Sequence, residues 1–115
     1  MRLYLASYWS GCDVRAIARL AGAGAPTAVI SNAVDNIPDT AREAYARTVF
    51  DPVAWLREAG LDARPLDLRD YFGRPEALLA ELETLRFLWV GGGNVFLLRR
   101  AMRQSGFDAL VPGLV

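Results

Sequence analysis

Three consecutive glycines and an asparagine are the residues of this chain best suited to holding a charged group. Gly91, Gly92, Gly93 and Asn94 follow the apolar run Phe87–Val90 and directly precede an amphipathic segment. The pattern predicts a buried strand, a glycine loop and a helix capped by Asn94. Backbone N–H groups and the positive end of the helix dipole would then face the crevice where open α/β sheets bind ligands. Oxyanions and phosphates are the candidate ligands.

Two nucleotide-binding motifs do not fit this loop. Its glycines do not follow G-x-G-x-x-G, and no Lys-Ser/Thr pair follows them. A structural alternative stays open beside the functional one, in which the glycines only let the helix pack tightly on its strand.

The side chains needed for hydrolytic chemistry are missing from the sequence. It contains no histidine to serve as a general base, and every basic residue is arginine. Cys12 is the single cysteine and has no histidine partner, so an ordinary structural role is favoured over a nucleophilic one. None of the serines lies in a G-x-S-x-G elbow: Ser7, Ser10, Ser31 and Ser105. We therefore predict no catalytic residue in this chain acting alone.

The residues WVGGGNVFLLRRAMRQSGFDALV resemble the peptidase E family of serine peptidases, which includes aspartyl dipeptidases and cyanophycinases. MRLYLASY is similar to the family's first strand, and TAVISNA to its second strand and loop. The resemblance implies a three-layer αβα fold related to the class I glutamine amidotransferases, and hydrolysis of short Asp-containing peptides. It also implies that Gly92 or Gly93 supplies an oxyanion-hole N–H, with Asn94 beside it. The family's nucleophilic serine lies in a Gly-x-Ser-Ala-Gly elbow on the next strand, beyond Val115.

Strand-like and helix-like segments alternate along the chain, which predicts one α/β domain over residues 1–115 with a mostly parallel sheet of about four strands. The predicted strands are Leu3–Ala6, Thr27–Ser31, Leu61–Leu66 and Phe87–Val90. The predicted helices are Asp13 to about Leu20, Ala41–Val49 with Thr40 as its cap, Pro52 to Gly60, Pro75–Leu85, and the segment from Asn94 to Gly106.

The carboxyl ends of parallel strands meet at one edge of a sheet, which adds three candidate crevice residues to the glycine loop. Trp9 follows the first predicted strand, and Asn32 and Asp35 follow the second. Asn and Asp residues also commonly cap helices and stabilise turns, and that ordinary structural role is favoured for Asn32 and Asp35. By their periodicity, Trp55 and Trp89 are predicted to belong to the core.

The overall composition argues against several classes of partner. Thirteen basic and thirteen acidic residues give no net charge, so neither nucleic acid nor a membrane is expected as a partner. Without histidine or a second cysteine, and without EF-hand spacing, no metal is expected, and no cofactor. The N-terminus does not resemble a signal peptide, and a single cysteine suits a reducing setting, so we expect a cytoplasmic protein.

Three functional interpretations stay open on the sequence alone. The chain is a fragment of a serine peptidase, one half of a two-chain hydrolase, or a non-catalytic binding or assembly module that retains the fold. Ending the sheet at Phe87–Val90 would expose a strand edge and apolar helix surface from Val95, Leu98 and Met102. We therefore expect a homo-oligomer or a partner chain, with the apolar tail from Asp108 to Val115 folding back or crossing to a neighbour.

Overall fold

A computed structural model describes residues 13–114. The predicted strand Leu3–Ala6, Trp9 and Cys12 lie outside the described residues. The strands are β1 (Pro26–Ile30), β2 (Asp62–Pro65) and β3 (Phe87–Val90). The helices are α1 (Val14–Ala21), α2 (Asp39–Thr48), α3 (Pro52–Glu58), α4 (Pro75–Glu83), α5 (Val95–Ser105) and α6 (Phe107–Leu114). Two short 3₁₀ turns, Asn32–Val34 and Leu68–Tyr71, follow β1 and β2.

The described strands form one parallel sheet in the order β2-β1-β3. β1 is therefore central, which agrees with its nearly complete burial. Within residues 13–114, β3 pairs with β1 alone and lies at an edge of the sheet. The predicted α/β class with parallel strands is confirmed.

The sheet packs apolar side chains on both faces, because successive residues of a strand point to opposite sides. Ala28 and Ile30 join one cluster with Leu78 and Leu82 of α4. The intervening Val29 joins a second cluster, built mainly from α1 and α3, which also includes the partly buried Trp55 and Trp89. The two indole rings meet edge to face with centroids 5.3 Å apart, so both do contribute to the core as predicted.

The start of α2 differs from the prediction. The helix begins at Asp39, so Thr40 lies inside it, and the N-cap is Pro38, which makes no side-chain cap hydrogen bond. Pro38 has φ −56° and ψ 145°, so its ring already holds the extended backbone that precedes a helix. A second difference is smaller: β2 covers only Asp62–Pro65 of the predicted Leu61–Leu66.

The C-terminal segment folds back on its own chain as helix α6. Phe107 is buried, and Leu110, Val111 and Leu114 pack against the cluster that contains Ala28 and Ile30. Leu98 and Met102 of α5 pack there too, so the prediction that they are uncovered was wrong. The exposed apolar residues of α5 are instead in its first turn: Val95, 65% exposed, and Phe96, 82% exposed.

Candidate functional site

The glycine loop is fixed at both ends to the segment that leaves β1. The N–H of Gly91 donates to the carbonyl of Ile30 at 2.9 Å, and the N–H of Asn94 donates to the carbonyl of Ala33 at 2.8 Å. Together these bonds place the loop at the carboxyl end of the sheet, against the Asn32–Val34 turn, where the sequence predicted a crevice.

Gly93 is a glycine for a structural reason. Its φ is +148°, in a region that side chains rarely adopt. A Cβ built on it would lie 2.8 Å from the carbonyl oxygen of Ala33 and 3.1 Å from a methyl group of Val34. Close packing of the loop on the Asn32–Val34 turn therefore accounts for this residue. Its role is structural, but the packing partner is this turn and not the strand that precedes the helix.

Gly92 differs from Gly93 in both its backbone conformation and the space around it. Its φ is not positive, and a Cβ built there would meet nothing within 4 Å. Gly92 is exposed, and within residues 13–114 neither its N–H nor that of Gly93 donates to a backbone acceptor. These two N–H groups are the donors that the glycine loop offers to a ligand.

Asn94 uses its side chain as a helix cap. Its Oδ1 accepts from the N–H groups of Phe96 and Leu97 at 3.0 and 3.2 Å. At the other end of α5, Gly106 adopts the left-handed conformation with φ +82°. Both caps match the sequence prediction. Within residues 13–114 the Asn94 amide nitrogen makes no hydrogen bond, so it is the part of this side chain that can face a substrate.

Asn32 links the ends of two neighbouring strands. The side chain is buried, its Nδ2 donates to Asp35 Oδ2 and Asp67 Oδ1, both at 2.9 Å, and its Oδ1 accepts from the N–H of Leu68 at 3.0 Å. An amide so fully engaged has little left for a substrate. Asn32 therefore organises the site, and the two carboxylates that it holds are partly exposed, Asp67 more than Asp35.

Asp67 and Arg69 are site residues that the sequence reasoning missed. The Arg69 guanidinium contacts both oxygens of Asp67, with Nη2 2.7 Å from Oδ2, and its backbone N–H adds a further bond to Oδ1 at 2.9 Å. These hydrogen bonds, above all those from the Arg69 side chain, lower the pKa of Asp67 to about 2 against the opposing effect of burial. Asp67 follows β2 as Asn32 follows β1, and that position after a strand was the signal available in the sequence.

A pocket of about 130 Å³ opens between the carboxyl ends of β1 and β2. Its lining combines strand residues with polar groups from the adjoining loops and from α2: Val29, Ser31, Asn32, Asp35, Arg42, Pro65, Leu66 and Asp67. The Nε of Arg42 is buried and makes no hydrogen bond within the described part of the chain. The structure thus brings Asn32 and Asp35 together at the same edge as the glycine loop, while Trp9 lies outside the described residues.

The acid stability of this cluster follows from the Asp67–Arg69 pair. The folded-state pKa of Asp67 lies below its ordinary value of 3.8, so its stabilisation is present above about pH 4 and is lost as the pH falls towards 2. We expect Asp67→Asn to lower the free energy of unfolding by about 1 kcal/mol at pH 7, allowing for solvent screening of a partly exposed pair. Urea unfolding between pH 7 and pH 2 should show this difference shrinking below pH 4.

A matched control for that measurement is Asp70→Asn. Asp70 contributes its backbone carbonyl, not its carboxylate, to a hydrogen bond with Arg74. Its substitution should leave the unfolding curve nearly unchanged. A difference for Asp67→Asn that stays constant down to pH 2 would contradict the role assigned to the ion pair.

The described residues contain no group of three or more His, Cys, Asp or Glu that could hold a metal ion. Among the same residues, none of the helices combines the length and apolar character needed to cross a membrane. No protein-family model matches the chain, and no match was found among curated proteins or solved structures.

Proposed function

We propose that this chain is the oxyanion-loop part of a peptidase E-like serine dipeptidase that acts on short Asp-containing peptides. The described parallel sheet, with helices packed on both faces, is compatible with the three-layer αβα fold of that family and of the class I glutamine amidotransferases. The resemblance of the Gly-Gly-Gly-Asn segment supports the same proposal.

The observation that carries the proposal is the geometry of Gly92. Packing and backbone conformation require a glycine at position 93, but neither requires one at position 92. A glycine in open space leaves its N–H accessible to a close ligand, which is what an oxyanion hole needs. The first turn of α5 adds the positive end of a helix dipole at the same place.

In this proposal the remaining catalytic groups lie outside these 115 residues, either in a continuation of the same chain or in a partner chain. The chain has no histidine or lysine to activate a nucleophile. Exposed apolar side chains flank the glycine loop at Val90, Val95 and Phe96, and β3 is an edge strand of the described sheet. A complementing polypeptide that continues the sheet beside β3 would cover these side chains and bring its serine next to Gly92. The alternative of a non-catalytic assembly module uses the same apolar surface without a serine partner.

A complementation assay tests the proposal. The purified chain alone should not hydrolyse an Asp-Xaa dipeptide, because oxyanion donors have no reaction to stabilise without a nucleophile. Mixed with a polypeptide that carries the serine elbow and the histidine of a peptidase E family member, it should become active. Gly92→Val should then reduce kcat by about 10²–10³-fold by blocking the N–H, whereas Gly92→Ala, which adds only one methyl group, should reduce it less.

Two results would count against the proposal. If the wild-type mixture shows no hydrolysis although the two polypeptides associate, the assembly-module alternative is favoured. Hydrolysis by the chain alone that disappears in Cys12→Ala would instead indicate a thiol mechanism.

A further inference from the structure

Two carboxylates line the pocket between β1 and β2, and they differ in how many hydrogen bonds they accept. Asp67 accepts from the Asn32 amide and from several donors of Arg69. Within residues 13–114 Asp35 accepts one hydrogen bond, from Asn32 to its Oδ2, and its Oδ1 forms only a long ion pair with Arg69, 3.7 Å from Nε. The side chain of Asp35 is only 17% exposed. Asp35 Oδ1 is thus a sheltered acceptor at the pocket.

Arg42 supplies the complementary donor. Arg42 lines the pocket, and its Nη2 pairs with Asp39. Its Nε is buried without a hydrogen-bond partner in the described part of the chain. A buried donor of this kind costs free energy until an oxygen approaches it. The pocket therefore presents an acceptor on the loop after β1 and a donor on α2.

The charges around the pocket select among small ligands. The pocket is lined by two carboxylates, Asp35 and Asp67, and one guanidinium group, Arg42. Asp39 and Arg69 pair with these residues from outside the lining and add one charge of each sign. This excess of negative charge disfavours a simple anion and favours a ligand that carries one positive group. The volume of about 130 Å³ suits a ligand with few atoms.

We propose that this pocket binds an α-ammonium group together with its neighbouring oxygen, as found in a free amino acid or at the amino terminus of a peptide. The ammonium group donates to Asp35 Oδ1, and Arg42 Nε donates to the carboxylate or carbonyl oxygen. The inference rests on the proposed function only for the choice of a peptide as one source of this chemistry. The pocket lies between β1 and β2, whereas the glycine loop follows β3 on the other side of the central β1, and no residue of the loop lines the pocket. Occupancy of the two sites can therefore be observed separately.

Amide chemical shifts of the ¹⁵N-labelled full chain can test the inference. The probes are alanine, the dipeptide Asp-Ala, and N-acetyl-Asp-Ala, which lacks the ammonium group. Alanine or Asp-Ala should shift the amides of Ser31, Asp35 and Asp67 with saturation, and acetylation should weaken that binding about tenfold or more. If alanine gives saturable shifts and Asp-Ala does not, the ligand is a free amino acid. If Asp-Ala gives saturable shifts and alanine does not, the ligand is a peptide terminus.

Two variants with matched controls complete the experiment. Asp35→Asn keeps an acceptor for Asn32 but removes the charge. Arg42→Met keeps a long side chain but has no N–H donor. Each variant should weaken binding of the saturating ligand about tenfold. Asp70→Asn and Arg47→Met, at exposed positions outside the pocket, should bind as the wild type does. Thermal unfolding of each variant verifies that it is folded.

The outcomes separate this inference from the proposed function. Binding that depends on Asp35 while the complemented chain stays inactive supports the pocket and counts against the dipeptidase. Shifts confined to Gly92 and Gly93 would contradict the proposed ammonium site without contradicting the dipeptidase function. The same holds for binding that neither acetylation nor Asp35→Asn changes. Absence of saturable binding by both alanine and Asp-Ala also overturns the pocket.

Discussion

Asn32→Ala should lower the free energy of unfolding by about 3 kcal/mol, because it removes a buried hydrogen-bond network and leaves a small cavity. The substitution leaves the N–H of Leu68 buried without an acceptor and removes the donor shared by Asp35 and Asp67. It thereby disconnects the loop after β1 from the loop after β2. Urea unfolding followed by circular dichroism at pH 7 measures the effect.

Asn36→Ala is the matched control, because Asn36 is an exposed residue of the same loop, and its substitution should change stability by less than about 0.5 kcal/mol. Asn32→Asp keeps the size of the side chain but places a third carboxylate beside two others. Its pKa in the folded state would be raised, so the variant should regain stability as the pH falls. A loss below about 1 kcal/mol for Asn32→Ala would show that the network contributes little.

Gly93→Ala should destabilise the fold by about 2–3 kcal/mol, combining an unfavourable positive φ with a steric clash. The added Cβ would lie 2.8 Å from the carbonyl oxygen of Ala33, and backbone cannot move aside as the end of a flexible side chain can. The Asn94 N–H bond to the same carbonyl should weaken as the loop is displaced. Chemical denaturation measures the stability, and the Asn94 amide shift reports on the loop.

The adjacent Gly92→Ala is the control for this prediction. It changes the same residue type in the same loop but meets nothing within 4 Å and requires no positive φ. Its stability should remain within about 0.5 kcal/mol of the wild type. Equal losses in the two variants would contradict the assignment of different roles to the two glycines.

Local patterns in the sequence were sufficient for much of the fold. The apolar run at Phe87–Val90, the caps at Asn94 and Gly106, and the proline after Asp51 are signals contained within a few residues, and each element lies where predicted. The predicted burial of Phe87–Val90 was wrong, because β3 is only half-buried and Val90 at its end is exposed. The start of α2 was misplaced because Thr40 and Glu43 fit a capping box, while the preformed backbone of Pro38 begins the helix two residues earlier.

The site was harder to predict because its contacts join distant parts of the chain. Asn32 meets Asp67 across 35 positions and the N–H of Leu68 across 36. No local spacing encodes those contacts; they follow from the parallel pairing of β1 with β2, which aligns the ends of the two strands. Arg42 joins the pocket from α2, and nothing in its neighbourhood along the sequence indicates that position.

Helix α2 has no buried residue, yet it supplies one wall of the pocket through Arg42. Core packing therefore places little constraint on its sequence, in contrast to β1, where nearly every position is buried. Substitutions in α2 can accumulate at little cost to folding, and those at position 42 change which ligand atom the pocket accepts. The architecture separates the part of the molecule that must stay constant from the part in which a new ligand preference can evolve.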